Sequence, residues 1–282
     1  MKFIKKHPHI LAIILISVLL VVLQLDFYWF FVALFAYFLL VYLLRLPTSV
    51  GNTGYFLERL TGKRKPALPF YRFAYRHKTK SEFALVSYGL HLLENCEYQE
   101  ALEVFQYLFT LPKVEPMVKK FAYQDLSIAQ WKCGDLQGAI ATLEKMLEDY
   151  EYFNLPFYTT LGYYYIEAGD YEKARLYTNK ALEEDETHGP AYDNLGQIAF
   201  REGNYEEAEA LFRKALDLKP TMADSKYYLG RIAEIEGDSE TALSFYQAAA
   251  RSKITGMNTV SREQVEERLH QMEAAVQGRQ ES

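Results

Sequence analysis

The chain has 282 residues, 50% of them hydrophobic and 24% charged, with a formal net charge of −6 at pH 7. That mild balance hides a division: residues 45–80 carry nine Lys/Arg and one acid, whereas residues 82–282 carry 19 Lys/Arg and 35 Asp/Glu. The acidic remainder argues against nucleic acid as a partner. The two cysteines, Cys96 and Cys133, form no Cys-x-x-Cys pattern; packing as small residues explains them better than a metal site, and they fit a reducing compartment.

Residues 10–25 and 27–44 are almost wholly apolar, separated by the single charge Asp26. One continuous helix would run ~52 Å against a hydrocarbon core of roughly 30 Å, leaving Asp26 near mid-bilayer. Two short antiparallel spans turning at residues 24–26 instead place Asp26, Tyr28 and Trp29 at an interface. A shallow re-entrant hairpin is the second reading, because each span reaches only about 24–27 Å. A cleaved signal peptide fits less well, since residues 21–32 hold no Ala, Gly or Ser for a cleavage site. Lys2, Lys5 and Lys6 before the apolar run, and the basic run after it, put both ends in the cytoplasm by the positive-inside rule. The expected order begins with a two-helix membrane anchor over residues 1–46 and a basic, aromatic juxtamembrane linker over 47–81. Within that linker Arg59, Lys63, Arg64, Lys65, Arg72 and Arg76 are candidates to meet anionic lipid, at about 1 kcal/mol per cation near the surface. A plain basic flank whose aromatics pack on the segment after residue 81 is the competing account.

Beyond residue 81 the sequence repeats. Gly162, Gly196 and Gly230 are 34 residues apart; Gly169, Gly203 and Gly237 keep the same step, as do Ala174, Ala208, Ala242 and Ala181, Ala215, Ala249. Apolar and small residues recur at three- and four-residue spacing, which places them on one helix face. Gly and Ala at the close positions allow two helices of a unit to approach. A Gly-Asp-Tyr, Gly-Asn-Tyr or Gly-Asp-Ser turn separates them, the glycine ending one helix and Asp170, Asn204 or Asp238 capping the next, with Glu207 completing a capping-box pattern after Asn204. In residues 189–220 an aromatic stands at position 4 (Tyr192), Leu-Gly at 7 and 8, Ala at 20, Phe at 24, Ala at 27 and Pro at 32.

This pattern resembles the tetratricopeptide repeat. About five units are expected, over 82–115, 120–154, 155–188, 189–222 and 223–256, the first two degenerate. A capping helix over 259–276 and a frayed tail complete residues 257–282. The resulting fold class is all-α: a helical-hairpin solenoid preceded by a transmembrane helical hairpin.

No histidine forms a His-Glu-x-x-His pattern, Gly62-Lys63-Arg64 lacks the rest of a phosphate loop, and no nucleophile elbow is present. No catalytic residue, metal ligand, cofactor or small-molecule substrate is therefore expected. The resemblance implies a concave face lined by fixed positions of each first helix. Here these supply Thr159, Thr160 and Tyr163, then Asp193, Asn194 and Gln197, then Tyr227, Tyr228 and Arg231. Chaperone-binding members hold a terminal carboxylate in a Lys/Asn clamp. Asn194 stands at a clamp position, but Thr159 and Tyr163 replace the Lys and Asn, so that clamp is not expected. A groove of Tyr, Asn and Gln suits a peptide, although the tyrosines equally suit simple cover for neighbouring helices. The expected function is a bacterial inner-membrane scaffold that presents its repeats to a protein or peptide partner in the cytoplasm. An obligate regulatory or assembly subunit of a membrane complex is the alternative, and an enzyme a remote third.

Overall fold

In the computed structural model residues 8–23, 27–150 and 155–280 are described, and among them the chain is helical, with fifteen α-helices and no strand. It divides into two compact units, Met1–Leu85 and Val86–Ser282.

The first unit opens with α1 (Pro8–Val22) and α2 (Phe27–Leu44), both apolar around the whole circumference. Their large side chains are exposed: Leu15 is 59% accessible, Phe35 69% and Leu44 75%. No single helix among the described residues is long and apolar enough to cross a membrane. Residues 28–44 together with the next helix meet the length and composition, but the pair is bent by 100°. The expected turn at residues 24–26, and Lys2, Lys5 and Lys6, lie outside the described residues.

Residues 47–81, read from the sequence as a basic, aromatic linker, are largely helical. They fold into α3 (Leu46–Thr61), a 3₁₀ turn (Lys65–Ala67) and α4 (Leu68–Arg76). Pro47 and Pro69 sit in the first turn of each helix, where their missing N–H is not needed. Gly54 permits the approach of the two helices: a Cβ there would lie 2.8 Å from that of Phe70. Tyr71 is buried in the contact and donates to Glu58 Oε2 at 2.5 Å, while Arg64 Nε reaches Glu58 Oε1 at 3.1 Å.

Five helix pairs follow, the division between units falling inside the first: α5 (Glu82–Glu94) with α6 (Tyr98–Thr110), α7 (Pro116–Lys132) with α8 (Leu136–Asp149), α9 (Leu155–Glu167) with α10 (Tyr171–Glu184), α11 (Gly189–Arg201) with α12 (Tyr205–Leu218), and α13 (Ala223–Glu236) with α14 (Ser239–Ala250). The period is explained by contact. A Cβ on Gly196 would stand 2.8 Å from the Phe212 ring and one on Gly230 2.7 Å from the Tyr246 ring, so in these two pairs an aromatic of the second helix lies on a bare stretch of the first; in the third pair Thr178 takes that place against Gly162. Ala174, Ala181, Ala208, Ala215, Ala242 and Ala249 are wholly buried. In the second pair Ser127 takes the small-residue place, its hydroxyl 3.1 Å from that of Tyr164.

The turns differ in one respect from expectation. Asp135, Asp170 and Asp238 accept from the backbone N–H three residues on, at 2.8, 3.1 and 3.0 Å. Asn204 makes no side-chain cap bond; a neutral amide gains less than a carboxylate at the positive end of the helix dipole. The first pair has no glycine in its turn. Cys96 takes the left-handed backbone there, φ 63°, and both cysteines are exposed, so packing does not account for them.

The last helix, α15 (Arg262–Gln280), starts three residues later than expected and continues through Gly278 to Gln280. Its start is set by a reciprocal capping box: Ser261 N donates to Gln264 Oε1 at 2.7 Å and Gln264 N to Ser261 Oγ at 3.2 Å. Val265 is buried, and Leu269 and Met272 pack on the same terminal cluster as Tyr246 and Ala249.

Candidate functional site

Within the second unit the first helices of successive pairs line a cavity of about 500 Å³. α7 contributes Ile128 and Trp131, α9 Thr159, Thr160, Tyr163 and Tyr164, α11 Asp193 and Asn194, and α13 Asp224, with Lys219 and Thr221 from the preceding turn. The opposite wall is the segment between α14 and α15, from Lys253 to Thr259.

Five of the nine residues singled out for the concave face, Thr159, Thr160, Tyr163, Asp193 and Asn194, line this cavity. Gln197, Tyr227, Tyr228 and Arg231 are not among its lining residues. All but Thr160, Tyr228 and Arg231, which are half-buried, are buried, and most are held by neighbouring helices. The Thr159 hydroxyl donates back to its own helix, to Leu155 O at 3.1 Å. The Tyr163 ring stands edge-on to Trp131, centroids 5.1 Å apart. Asn194 Nδ2 donates to Thr159 O at 2.8 Å, tying α11 to α9. Tyr227 packs on Tyr246 and Tyr228 in the terminal cluster, and Tyr228 is stacked on Phe212. The Arg231 guanidinium lies 5.8 Å above the Phe200 ring, and its Nε is 3.7 Å from Glu234.

Asp193 is the electrostatic centre of the cavity. Its carboxylate accepts from Gln197 Nε2 at 2.8 Å and from the Ser225 hydroxyl. Burial, reinforced by the nearby Asp224 charge, nevertheless pushes its pKa up to about 7. Asp224 is itself committed. It accepts from Asn258 Nδ2 at 2.8 Å, Thr259 Oγ1 at 2.6 Å and Val260 N at 2.9 Å, all on the opposite wall. Lys132, whose pKa is lowered by burial, donates to Asn258 O at 2.7 Å and lies 4.0 Å over the Trp131 ring.

Sequence reasoning missed that wall, Trp131 and Lys132. The available signal was local: a Thr-Gly-Met-Asn-Thr run, residues 255–259, is poor helix material between two helices. Its partners, however, are remote in sequence.

In the first unit, considered by itself, Arg59, Lys63, Lys65, Arg72 and Arg76 are exposed, while Arg64 is partly buried against Glu58. Phe56 and Leu60, one turn apart on α3, are also exposed, at 67% and 71%. Among the described residues no group of three or more His, Cys, Asp and Glu is placed to hold a metal ion.

Residues 156–188 and 194–256 match models of the tetratricopeptide repeat. No curated protein matches the sequence. Among solved structures, a tetratricopeptide repeat protein from Parabacteroides merdae superposes with a TM-score of 0.65 at 19% identity, covering 80% of this chain and 84% of its own. A thermophilic repeat protein from Thermus thermophilus gives 0.55 at 20% identity over 68% of this chain and 98% of its own. Tetratricopeptide-repeat models thus match residues 156–188 and 194–256, and the chain shares with these structures an all-helical, solenoid-like fold.

Proposed function

We propose that this protein is a membrane-attached scaffold whose solenoid holds a protein or peptide partner on its concave face, on the cytoplasmic side of a bacterial inner membrane. The observation that carries the partner reading is the cavity between first helices. It combines aromatic surface from Trp131 and Tyr163 with hydroxyl, amide and lysine groups from Thr160, Asn194, Lys219 and Lys253, a mixture suited to an extended chain rather than to bond-breaking chemistry. Tetratricopeptide repeats mediate protein–protein or peptide contacts and are typically non-enzymatic.

Support for membrane attachment is compositional. α1 and α2 present Leu15, Val18, Phe31, Phe35 and Leu43 outward, a surface that water penalises by about 25 cal/mol per Å². The exposed cations Arg59, Lys63, Lys65, Arg72 and Arg76 with Phe56 and Leu60 suit an anionic headgroup layer. The same apolar helices also suit permanent packing against another membrane protein, which is the assembly-subunit reading.

A photo-reactive residue at Thr221, in the groove, and another at Glu206, exposed on α12, test the partner reading in intact cells. A discrete protein adduct from position 221 and none from 206 is expected. No adduct, or the same adducts from both, would remove the groove as the binding face. Retention in the pellet after alkaline carbonate extraction is expected if α1 and α2 are embedded; release into the supernatant would end the anchor reading.

A further inference from the structure

Residues 252–261, between the last repeat and the capping helix, cross the groove and reach the first repeat. Gly256 N donates to Glu94 O at 3.3 Å, and Tyr98 Oη donates to Gly256 O at 3.2 Å. Lys132 fixes the carbonyl of Asn258, and Asp224 collects the Asn258 amide, the Thr259 hydroxyl and the Val260 N–H. Inside the segment Asn258 Oδ1 accepts from Thr255 N at 2.9 Å, holding a tight turn. Gly256 stands where a Cβ would run into the Leu93 carbonyl oxygen and come within 2.9 Å of Tyr98 Oη. The two ends of the connection, Ile254 and Val260, join Val265 and Leu269 of α15 in covering the terminal cluster, and the residues between them do not.

The bonding of this strap differs from that of the repeats around it. Val260 and Gly256 are its buried residues and Met257 is exposed. Its ends are anchored by packing of Ile254 and Val260 in the terminal cluster, whereas residues 255–259 between them are held by hydrogen bonds, each worth about 0.5–1.5 kcal/mol net. Such a contact is reversible without unfolding the helices.

We propose that residues 255–259 are a built-in occupant of the concave groove, and that a partner enters by displacing them and taking over their contacts. This rests on the groove reading under Proposed function and deepens it by specifying the partner's chemistry. The incoming segment offers a backbone carbonyl to Lys132 and a backbone N–H beside a Thr, Ser or Asn side chain to Asp224. Glu94, Asp193 and Asp224 are balanced by Lys132, Lys219 and Lys253, so the groove favours neither an acidic nor a basic segment. The partner segment is therefore a neutral turn rich in hydroxyl and amide side chains.

The probe is a synthetic peptide with the sequence of residues 251–262, added to the full-length protein in detergent. In the wild type the tethered strap competes at an effective concentration in the millimolar range, so the peptide binds weakly. Gly256→Ala forces the strap off the Leu93 carbonyl without altering any groove residue outside the strap. At least tenfold tighter peptide binding is expected, together with faster amide exchange at Val260. Adding Asp224→Asn to that variant should remove the gain. Should Gly256→Ala fail to fold, replacement of residues 254–259 by a Gly/Ser run of equal length gives the same release. Equal affinity for wild type and released protein, or no binding to either, overturns the proposal. A positive peptide result with no adduct from Thr221 in cells would keep the strap as occupant and remove the partner reading; the reverse pair would keep the partner and remove the strap.

Discussion

Two parts of this chain treat their large apolar side chains in opposite ways. In α9 to α14 the large residues Phe157, Leu161, Tyr164, Phe212 and Tyr246 are at most 1% accessible, each laid on a Gly, Ala or Ser of its neighbour or wedged between helices. In α1 and α2, Leu15, Phe35, Leu39 and Leu44 stand outward. The difference lies in the small residues. The repeats alternate bulk with Gly and Ala at a 34-residue step, so each aromatic has a flat partner; the N-terminal helices carry bulk on every side and can bury only part of it against each other. A helix apolar around its whole circumference is stabilised by its surroundings, and an amphipathic repeat helix by its neighbours.

The comparison breaks most sharply where the repeats bury something they should not. Asp193 holds its proton in the fold up to about pH 7, against a reference of 3.8. A carboxyl whose pKa is raised on folding contributes stability that is complete below the unfolded pKa and disappears as pH rises through the folded one. The repeats should lose on the order of a few kcal/mol between about pH 4 and pH 7, and Asp193→Asn should flatten that slope. Urea midpoints measured across this range decide the matter: parallel profiles for wild type and variant would mean that Asp193 is ionised in the fold.

Next in size is the glycine step. Gly196→Leu places bulk where even a Cβ would be 2.8 Å from the Phe212 ring, and should cost roughly 1–3 kcal/mol. Equal melting temperatures for variant and wild type would show that α11 and α12 can part without penalty, and that the glycine is not what brings them together.

Much of this architecture is legible in the sequence, for a physical reason. Repeat contacts are local: Gly196 meets Phe212 and Gly230 meets Tyr246 across one turn, so their spacing is printed in the chain. The groove is legible only in part. Helical position gives the direction in which Asn194 or Tyr227 leaves its helix, but not which neighbour then covers it, and both are buried. The strap is not legible at all as a wall of the site, because Tyr98 and Gly256 are separated by 158 residues. α3 and α4 escape a sequence reading because charge and aromatics dominate residues 47–81 and mask the close approach made at Gly54.

The turns allow a finer test inside the repeats. Asp135 accepts from Gly138 N at 2.8 Å, whereas Asn204, at the matching place, caps nothing. Asp135→Ala should therefore cost ~1 kcal/mol, the usual value of a working N-cap, and Asn204→Ala only a few tenths. Chemical denaturation of the two variants under one condition gives the ratio; equal losses would mean that the cap bond contributes nothing beyond the turn itself.

The smallest effect on folding is expected in the N-terminal helices, and there it is the most informative. Phe35 is 69% accessible, so its side chain gives up little protein contact when replaced. Phe35→Asp should leave the thermal midpoint of the repeats within about 0.5 kcal/mol of wild type, as other exposed substitutions do. If α2 is embedded in lipid, the same carboxylate costs on the order of 3 kcal/mol when placed in a bilayer core, and the fraction of protein in the membrane pellet should fall sharply. If α2 packs instead on a dedicated membrane partner, the variant should stay with the lipid but lose co-migration with that partner. A drop in the repeat midpoint would contradict both outcomes, because it would mean that Phe35 is stabilised by protein contacts within its own chain, and the contrast between the two kinds of apolar helix would then disappear.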